Sequence, residues 1–170
     1  MNSNKNLVFL GMMGSGKSSI GAMVSKKLNI PFIDIDNLIE KHAGMTISEI
    51  FKANGEDHFR KLEEKITIKS LKHKKVVVSL GGGGFVNEKI RKNVLTNHFS
   101  FWLNWDDLVL IKRIKGSKKR PLASKSTEQE IKAVINKRKK TYSKANFKIN
   151  CDKLKKSEIV KTIIKIYELN

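Results

Sequence analysis

The sequence is poor in several kinds of residue, and each shortage excludes a class of protein. It contains one cysteine, Cys151, in 170 residues, so it has no intramolecular disulfide and no cysteine pair for a metal. No apolar run approaches the ~20 residues that a membrane-spanning helix requires. The first six residues, MNSNKN, also lack the apolar core of a signal peptide. We therefore expect a cytoplasmic protein that does not bind membranes.

Proline is also scarce, with two residues in the chain, and no Pro-rich or low-complexity segment divides the sequence. Hydrophobic residues make up 39% of it, which is ordinary for a globular protein. A length of 170 residues suits one domain with one well-buried core. The sequence therefore predicts a single domain over residues 1–170.

Acidic residues are few, with 16 against 35 basic ones, and the net charge is +19. Such an excess raises the possibility of a nucleic-acid partner. The lysines are spread along almost the whole chain, however, which favours a solvated surface. Five of the basic residues are arginines, and an arginine offers carboxylates and phosphates a planar fork that lysine lacks. These positions are Arg60, Arg91, Arg113, Arg120 and Arg138.

Apolar runs alternate with helical patterns along the whole chain. This alternation predicts a parallel sheet covered by helices on both faces, in one α/β domain. The predicted strands are 6–10, 31–35, 75–80, 99–104 and 147–150. The predicted helices are 17–28, 56–71, 88–95, 106–115, 128–144 and one after Ser157, with a capping box at Thr46–Glu49 that starts a further short helix.

The segment from Gly11 to Ser18, GMMGSGKS, matches the phosphate-binding loop G-x-x-x-x-G-K-[ST] in full, between a predicted strand and a predicted helix. Its glycines let successive N–H groups face a phosphate, and the helix adds its positive dipole end. Lys17 would reach the β- and γ-phosphates of a nucleoside triphosphate, and the Ser18 hydroxyl would bind Mg²⁺. The loop alone fits a switch, a motor, a nucleic-acid translocase or a kinase. The predicted ATP-binding residues are Gly14, Ser15, Gly16, Lys17, Ser18 and Ser19.

Two further features lie at predicted strand ends, which border the ligand crevice in an open α/β sheet. The second strand ends in Asp34-Ile35-Asp36, where alternation would place both carboxylates on one face. One carboxylate would hold Mg²⁺ through water while the other accepts a proton; alternatively, Asp36 only caps the next helix. The third strand runs into Gly81–Gly84, which indicates close approach of a ligand to bare backbone.

One segment is strongly basic: between Asp107 and Glu128 the chain has no acidic residue. The part at about 112–126 is predicted to be a mobile lid over phosphates or an arm that grips nucleic acid. It contains Arg120-Pro121-Leu122, and Arg138 follows four residues before Tyr142 on a predicted helix.

The ordered set of these motifs resembles the shikimate kinases, small P-loop kinases of the nucleoside-monophosphate-kinase type, over nearly the full length. The set comprises the phosphate loop, Asp34-x-Asp36, Phe59-Arg60 with Glu63, Gly81–Gly83, Arg120-Pro121-Leu122, and Arg138 before Tyr142. The resemblance implies a three-layer α/β/α fold with a five-stranded parallel sheet, usually monomeric. It also implies phosphorylation of shikimate to shikimate 3-phosphate, on the route to chorismate and the aromatic amino acids.

The resemblance assigns roles to individual residues. Shikimate would bind in a helical part at about 36–71 and against the glycine run, with two arginines on its carboxylate. Asp34 would support Mg²⁺ through water beside Ser18, and Arg120 would close over the ATP phosphates. The implied acceptor-binding residues are Asp36, Arg60, Gly81, Gly82, Gly83 and Arg138, and the implied catalytic ones are Lys17, Asp36 and Arg120.

Some positions depart from the family pattern. Lys140 stands where the family often has proline, and the spacing from Tyr142 to Ala145 is one residue shorter than usual. Arg91 and Arg113 have no motif around them and are predicted to be surface residues. The alternatives are a gluconate or nucleoside monophosphate kinase of the same fold, or a nucleic-acid-binding P-loop ATPase. Against the latter, the basic segment has no stacking aromatics nearby.

Overall fold

The sheet has five parallel strands, as the sequence predicts. The computed structural model describes residues 4–117 and 126–170, and the strand order in it is β2-β3-β1-β4-β5. The strands are β1 (Leu7–Leu10), β2 (Phe32–Asp34), β3 (Val77–Ser79), β4 (Phe99–Asn104) and β5 (Phe147–Asn150). All pairs are parallel, so the carboxyl ends of the strands share one edge of the sheet.

Helices connect consecutive strands and cover both faces of the sheet. They are α1 (Lys17–Leu28), α2 (Ile35–Ala43), α3 (Ile47–Leu71), α4 (Glu88–Asn97), α5 (Asp107–Lys115), α6 (Glu128–Tyr142) and α7 (Lys156–Glu168), with a 3₁₀ turn at Gly84–Val86. The predicted three-layer α/β/α fold is therefore confirmed. Within the described residues, no helix combines the length and the apolar character needed to cross a membrane.

Alternation along β1 divides the core between the two faces of the sheet. Val8 and Leu10 face a cluster that includes residues of α2 to α6. Leu7 and Phe9 face a second cluster with α1 and α7. All four side chains are at most 1% exposed, so β1 is the buried centre of the molecule.

The predicted capping box is present at the start of α3. The Thr46 hydroxyl accepts from the Glu49 N–H at 3.3 Å, and the Glu49 carboxylate accepts from the Thr46 N–H at 2.7 Å. The helix that begins there continues to Leu71, with a kink at Gly55, whose φ is 78°. The predicted short helix and the predicted helix at 56–71 are thus two parts of one kinked element.

One prediction about β2 is wrong. The strand ends at Asp34, and Asp36 belongs to α2, so strand alternation does not place their carboxylates on one face. Asp34 is the N-cap of α2, and its side chain accepts from the Asn37 N–H at 3.2 Å. The strand ends early because a capping residue has already turned the chain into the helix. Asp34, and not Asp36, is therefore the helix cap.

Part of the predicted lid at 112–126 can be located. Residues 112–115 form the last turn of α5. Arg120 lies outside the described residues, as do its neighbours from 118 to 125.

Candidate functional site

The phosphate-loop motif lies at the carboxyl end of the central strand, between β1 and α1, as the sequence predicts. Gly16 caps α1 in the left-handed region with φ 88°, and Gly14 has φ 79°. Residues with a Cβ rarely adopt these angles, so the backbone of this loop favours glycine at both positions. The loop therefore leads directly into the N-terminus of α1, where N–H groups and the helix dipole favour an anion.

Lys17 lies within the loop rather than in solvent. Its side chain is buried, and Nζ donates to the carbonyl oxygens of Gly11 at 3.0 Å and Met12 at 3.1 Å. The buried Ser15 hydroxyl has no hydrogen-bond partner among the described residues. A buried cation beside an unsatisfied hydroxyl and a helix N-terminus makes this loop suited to an anionic ligand.

Two further side chains, one directly after β4 and one on α5, contact the loop. The indole Nε1 of Trp105 donates to the Ser15 carbonyl at 2.9 Å. Arg113 donates to the Gly14 carbonyl at 3.3 Å, and its guanidinium carbon lies 3.9 Å from the centroid of the Trp105 ring. Arg113 is exposed, as predicted, but it also contacts the phosphate loop, which the sequence did not predict.

A cleft of about 400 Å³ opens beside the loop. Besides Gly14, Ser15 and Gly16, it is lined by Ile20, Trp105, Arg113, Leu154 and Lys156. Lys156, the first residue of α7, donates to the Ser19 hydroxyl at 3.1 Å. The cleft thus combines apolar walls with two cations, which suits a flat ring attached to phosphates.

The glycine run after β3 is packed against two carboxylates. A Cβ at Gly81 would lie 2.5 Å from Oε1 of Glu63 and 2.6 Å from Oδ1 of Asp36. A Cβ at Gly83 would collide with the guanidinium of Arg60. Gly81 and Gly83 therefore have no room for a side chain, because charged side chains already occupy that space. The approach of a ligand to this backbone stays a prediction.

Arg60 and Glu63 form an ion pair on α3, with Arg60 Nη1 2.7 Å from Glu63 Oε2. Burial raises the pKa of Glu63, while the Arg60 guanidinium opposes that shift. Glu56 Oε1 accepts from Nε and Nη2 of Arg60 at 3.2 and 3.1 Å. The guanidinium is thus fixed in orientation, while 34% of the Arg60 side chain remains exposed.

Arg138 reaches the same glycine run from α6. Its Nη1 donates to the Gly82 carbonyl at 3.2 Å, and the Tyr142 hydroxyl donates to the same oxygen. Burial raises the pKa of Tyr142 to about 12, so this hydroxyl keeps its proton at any physiological pH. The two donors hold the Gly82 peptide in one orientation.

The structure thus brings most predicted site residues together. Asp36, Arg60 and Arg138 meet at Gly81–Gly83, beside the phosphate loop. No group of three or more His, Cys, Asp or Glu side chains within the described residues is placed to hold a metal. Ser18 is exposed at the start of α1, and Asp34 is half-buried at the end of β2.

Several site residues were missed or left without a role by the sequence prediction. Trp105, Arg113 and Lys156 line the nucleotide-sized cleft, and Glu63 and Tyr142 orient the groups around the glycine run. A signal existed for Trp105, because it follows directly on β4 at the edge of the sheet where ligands bind. For Glu63, the signal was its spacing of three residues from Arg60, one helical turn.

Comparison with known proteins places this geometry in a family. A family model described as shikimate kinase matches residues 13–168. The shikimate kinase of Thermodesulfovibrio yellowstonii is 39% identical over 165 residues, which cover 96% of this chain and 95% of that protein.

Solved structures agree. The crystal structure of shikimate kinase from Aquifex aeolicus matches with a TM-score of 0.85 and 36% identity, covering 96% of both chains. Shikimate kinase from Acinetobacter baumannii in complex with shikimate matches with a TM-score of 0.91 and 25% identity, covering 99% of this chain and 95% of that one. These matches extend over essentially the whole fold, including both halves of the candidate site.

Proposed function

The chain belongs to the shikimate kinase family, and we propose how its own side chains divide the transfer of phosphate from ATP to a hydroxyl group of shikimate. One observation carries the proposal, namely the position of Gly82 between the two halves of the site. A Cβ at Gly82 would lie 3.4 Å from the Met13 nitrogen of the phosphate loop and 3.5 Å from Nη1 of Arg138. A phosphate donor on one side and an anionic acceptor on the other would therefore meet at this residue.

The nucleotide binds on the phosphate-loop side. The backbone of Gly14, Ser15 and Gly16 and the first turn of α1, from Lys17 to Ser19, surround the phosphates. The base enters the cleft of about 400 Å³ between Arg113 and Leu154. Arg120 lies outside the described residues; by the family resemblance it would add positive charge over the phosphates.

Two side chains on the phosphate-loop side of the site, Ser18 and Asp34, suit a Mg²⁺ ion that has few protein ligands. Ser18 offers a hydroxyl, and Asp34 offers a carboxylate of which one oxygen already accepts from the Asn37 N–H. Mg²⁺ usually keeps several waters and takes one or two protein ligands together with phosphate oxygens. Ser18 would bind the ion directly and Asp34 through water, and the bound ion would neutralise charge on the phosphates.

The acceptor binds on the other side of Gly82. Its carboxylate lies between Arg60, held by Glu63, and Arg138, held at the Gly82 carbonyl. Arginine suits this role because its planar fork makes paired hydrogen bonds to a carboxylate. The backbone of Gly81 and Gly83 completes this surface, and Asp36 receives the hydroxyl groups.

The transfer follows from this placement. Asp36 accepts the proton of the attacking hydroxyl as its oxygen forms a bond to the γ-phosphorus of ATP. The bond from that phosphorus to the bridging oxygen of ADP breaks, and ADP leaves with the electron pair. Lys17 and Arg120 stabilise the charge on the transferred group and on the leaving oxygen. The products are shikimate 3-phosphate and ADP.

The excess of positive charge has another candidate explanation, a nucleic-acid partner. We propose instead a monomer that works on ATP and shikimate without nucleic acid. Among the four arginines in the described residues, the site accounts for three, because Arg60 and Arg138 face the acceptor and Arg113 lines the nucleotide cleft. If the protein were a nucleic-acid-binding ATPase, RNA or DNA would stimulate its ATP turnover, and its affinity for them would fall steeply with salt.

A product assay tests the function directly. The protein is incubated with Mg·ATP and, separately, shikimate, gluconate, nucleoside monophosphates and RNA, and the products are identified by mass spectrometry. We expect one phosphorylated product, from shikimate, with ADP formed in equal amount. ADP formation driven by RNA, or phosphorylation of gluconate in preference to shikimate, would refute the proposal.

A further inference from the structure

Trp105 contacts the phosphate loop and one wall of the nucleotide cleft, although it lies outside every motif of the sequence. It follows directly on β4 and is half-buried. Its indole N–H is bonded to the Ser15 carbonyl at 2.9 Å, and its ring lies 3.9 Å from the Arg113 guanidinium carbon. One side chain therefore links two parts of the nucleotide site that are far apart in sequence.

The hydrogen bond determines the direction of a backbone N–H group. The Ser15 carbonyl and the Gly16 N–H belong to one planar trans peptide, so they point in opposite directions. Because the carbonyl points at the indole, the Gly16 N–H points away from it, as required of an N–H that binds a phosphate oxygen in such a loop. Because Gly16 has no Cβ, this peptide rotates more readily than it would beside any other residue. The hydrogen bond from Trp105 restrains that rotation.

The ring contact has a similar effect on Arg113. An exposed arginine side chain samples many rotamers, and fixing it on binding costs conformational entropy. The flat face of the indole holds the guanidinium by a cation–π contact. The hydrogen bond from Arg113 Nη1 to the Gly14 carbonyl at 3.3 Å restrains the guanidinium further. The guanidinium is thus oriented along the cleft before a nucleotide arrives.

We propose that Trp105 is a positioning residue for the nucleotide, which acts through the Ser15–Gly16 peptide and through Arg113. The proposal rests on the nucleotide role of the loop given above. It concerns one substrate only, because the Trp105 contacts lie on the donor side of Gly82 and involve neither Arg60 nor Arg138. Loss of Trp105 should therefore weaken ATP and ADP binding and leave shikimate binding unchanged.

Two substitutions separate the two contacts. Trp105→Phe keeps a ring under Arg113 and loses the N–H donor, whereas Trp105→Leu loses both. One neutral hydrogen bond corresponds to roughly a 2- to 12-fold change in affinity. The cation–π contact adds roughly 2- to 5-fold. We expect the ADP dissociation constant and the KM for ATP to rise in Trp105→Phe and to rise further in Trp105→Leu. The KM for shikimate should stay within about twofold of the parent value in both.

A matched control removes a comparable aromatic ring away from the site. Phe147 is also half-buried; it begins the edge strand β5, packs against Phe99 and Phe101, and does not line the cleft. Phe147→Leu should leave both KM values unchanged, whatever it does to the melting temperature. In a double-mutant cycle, Arg113→Ala should raise the ADP dissociation constant by a smaller factor in the Trp105→Leu background than in the parent. The reason is that Trp105→Leu has already removed part of the contribution of Arg113.

The titrations also separate this inference from the proposed function. If the parent protein binds ADP but phosphorylates no shikimate, the function is refuted while the Trp105 comparison remains valid. Unchanged ADP affinity in both Trp105 variants would overturn the positioning role. So would an equal rise in both KM values, which is the result expected of a purely structural residue.

Discussion

Tyr142 on α6 donates its hydroxyl proton to the carbonyl oxygen of Gly82, a residue 60 positions earlier in the chain. Arg138, one turn before Tyr142, donates to the same oxygen at 3.2 Å. Since the Gly82 carbonyl and the Gly83 N–H share a planar peptide, holding the carbonyl against α6 directs the N–H away from α6. The glycine run thus depends on a distant helix for its orientation as well as on its own flexibility.

Replacing Tyr142 by Phe tests this relationship. The ring and its packing remain, so the fold should survive, but Gly82 loses a donor. We expect the KM for shikimate to rise by roughly 2- to 12-fold, the value of one neutral hydrogen bond, with the KM for ATP unchanged. Tyr167→Phe on α7, across the sheet, is the matched control and should behave like the parent in steady-state kinetics. Equal KM values for shikimate in the Tyr142 variant and the control would contradict the assignment.

The two arginines on the acceptor side should not tolerate lysine. Arg60→Lys and Arg138→Lys each keep the charge and lose the paired hydrogen bonds to a carboxylate. A charge-assisted hydrogen bond contributes roughly 1.5–3 kcal/mol, so shikimate affinity should fall by about 10- to 150-fold at each site. ATP affinity should barely change. Calorimetric titration with each substrate measures both effects.

Arg91→Lys is the control for this pair. Arg91 donates to the carbonyls of Phe85 and Val86 at 3.2 and 2.8 Å, behind the glycine run, so shikimate affinity should stay at the parent value. Arg113 is unsuitable as a control because it contacts the phosphate loop. The double variant of Arg60 and Arg138 should lose less binding free energy for shikimate than the sum of the two single losses, since both arginines bind the same carboxylate. Unchanged binding in both single variants would refute the carboxylate clamp.

Neighbouring glycines in the run should respond differently to alanine. A Cβ at Gly83 would collide with the Arg60 guanidinium, whereas one at Gly84 would make ordinary contact, 3.5 Å from Glu63 Oε1 and from the Leu80 Cβ. We expect Gly83→Ala to displace Arg60 and lower shikimate affinity by about tenfold or more, the value of one charge-assisted hydrogen bond. Gly84→Ala should bind as the parent does. Similar affinities for the two variants would show that Arg60 does not need that space.

Asp36 can now be tested as the catalytic base without the earlier ambiguity, because Asp34 caps α2. Asp36→Asn keeps the shape and removes the base, so kcat should fall by about 100-fold or more while ADP binding persists. Asp34→Asn retains a good helix cap and should mainly raise the Mg²⁺ concentration needed for activity. Near-normal kcat in Asp36→Asn, measured with saturating substrates, would exclude Asp36 as the base.

The phosphate loop was predictable because its determinants are contiguous. From Gly11 to Ser18, a strand, a turn that needs glycine at positive φ and a helix N-terminus follow one another, and spacing alone specifies the cradle. The sheet was predictable for a similar reason, since buried parallel strands appear as short apolar runs between helical patterns. The error in the extent of β2 arose because Asp34 serves as a helix cap as well as a strand residue.

The neighbours that hold the site residues in place were decided by the tertiary structure. The bond from Trp105 to Ser15 spans 90 positions and the bond from Tyr142 to Gly82 spans 60, and no sequence periodicity connects such distant residues. They meet because the strand order β2-β3-β1-β4-β5 places β3 and β4 on either side of β1, with every carboxyl end at one edge. The motifs thus identify the groups that carry the chemistry. Only the packed sheet supplies the neighbours that hold each of those groups in a single orientation.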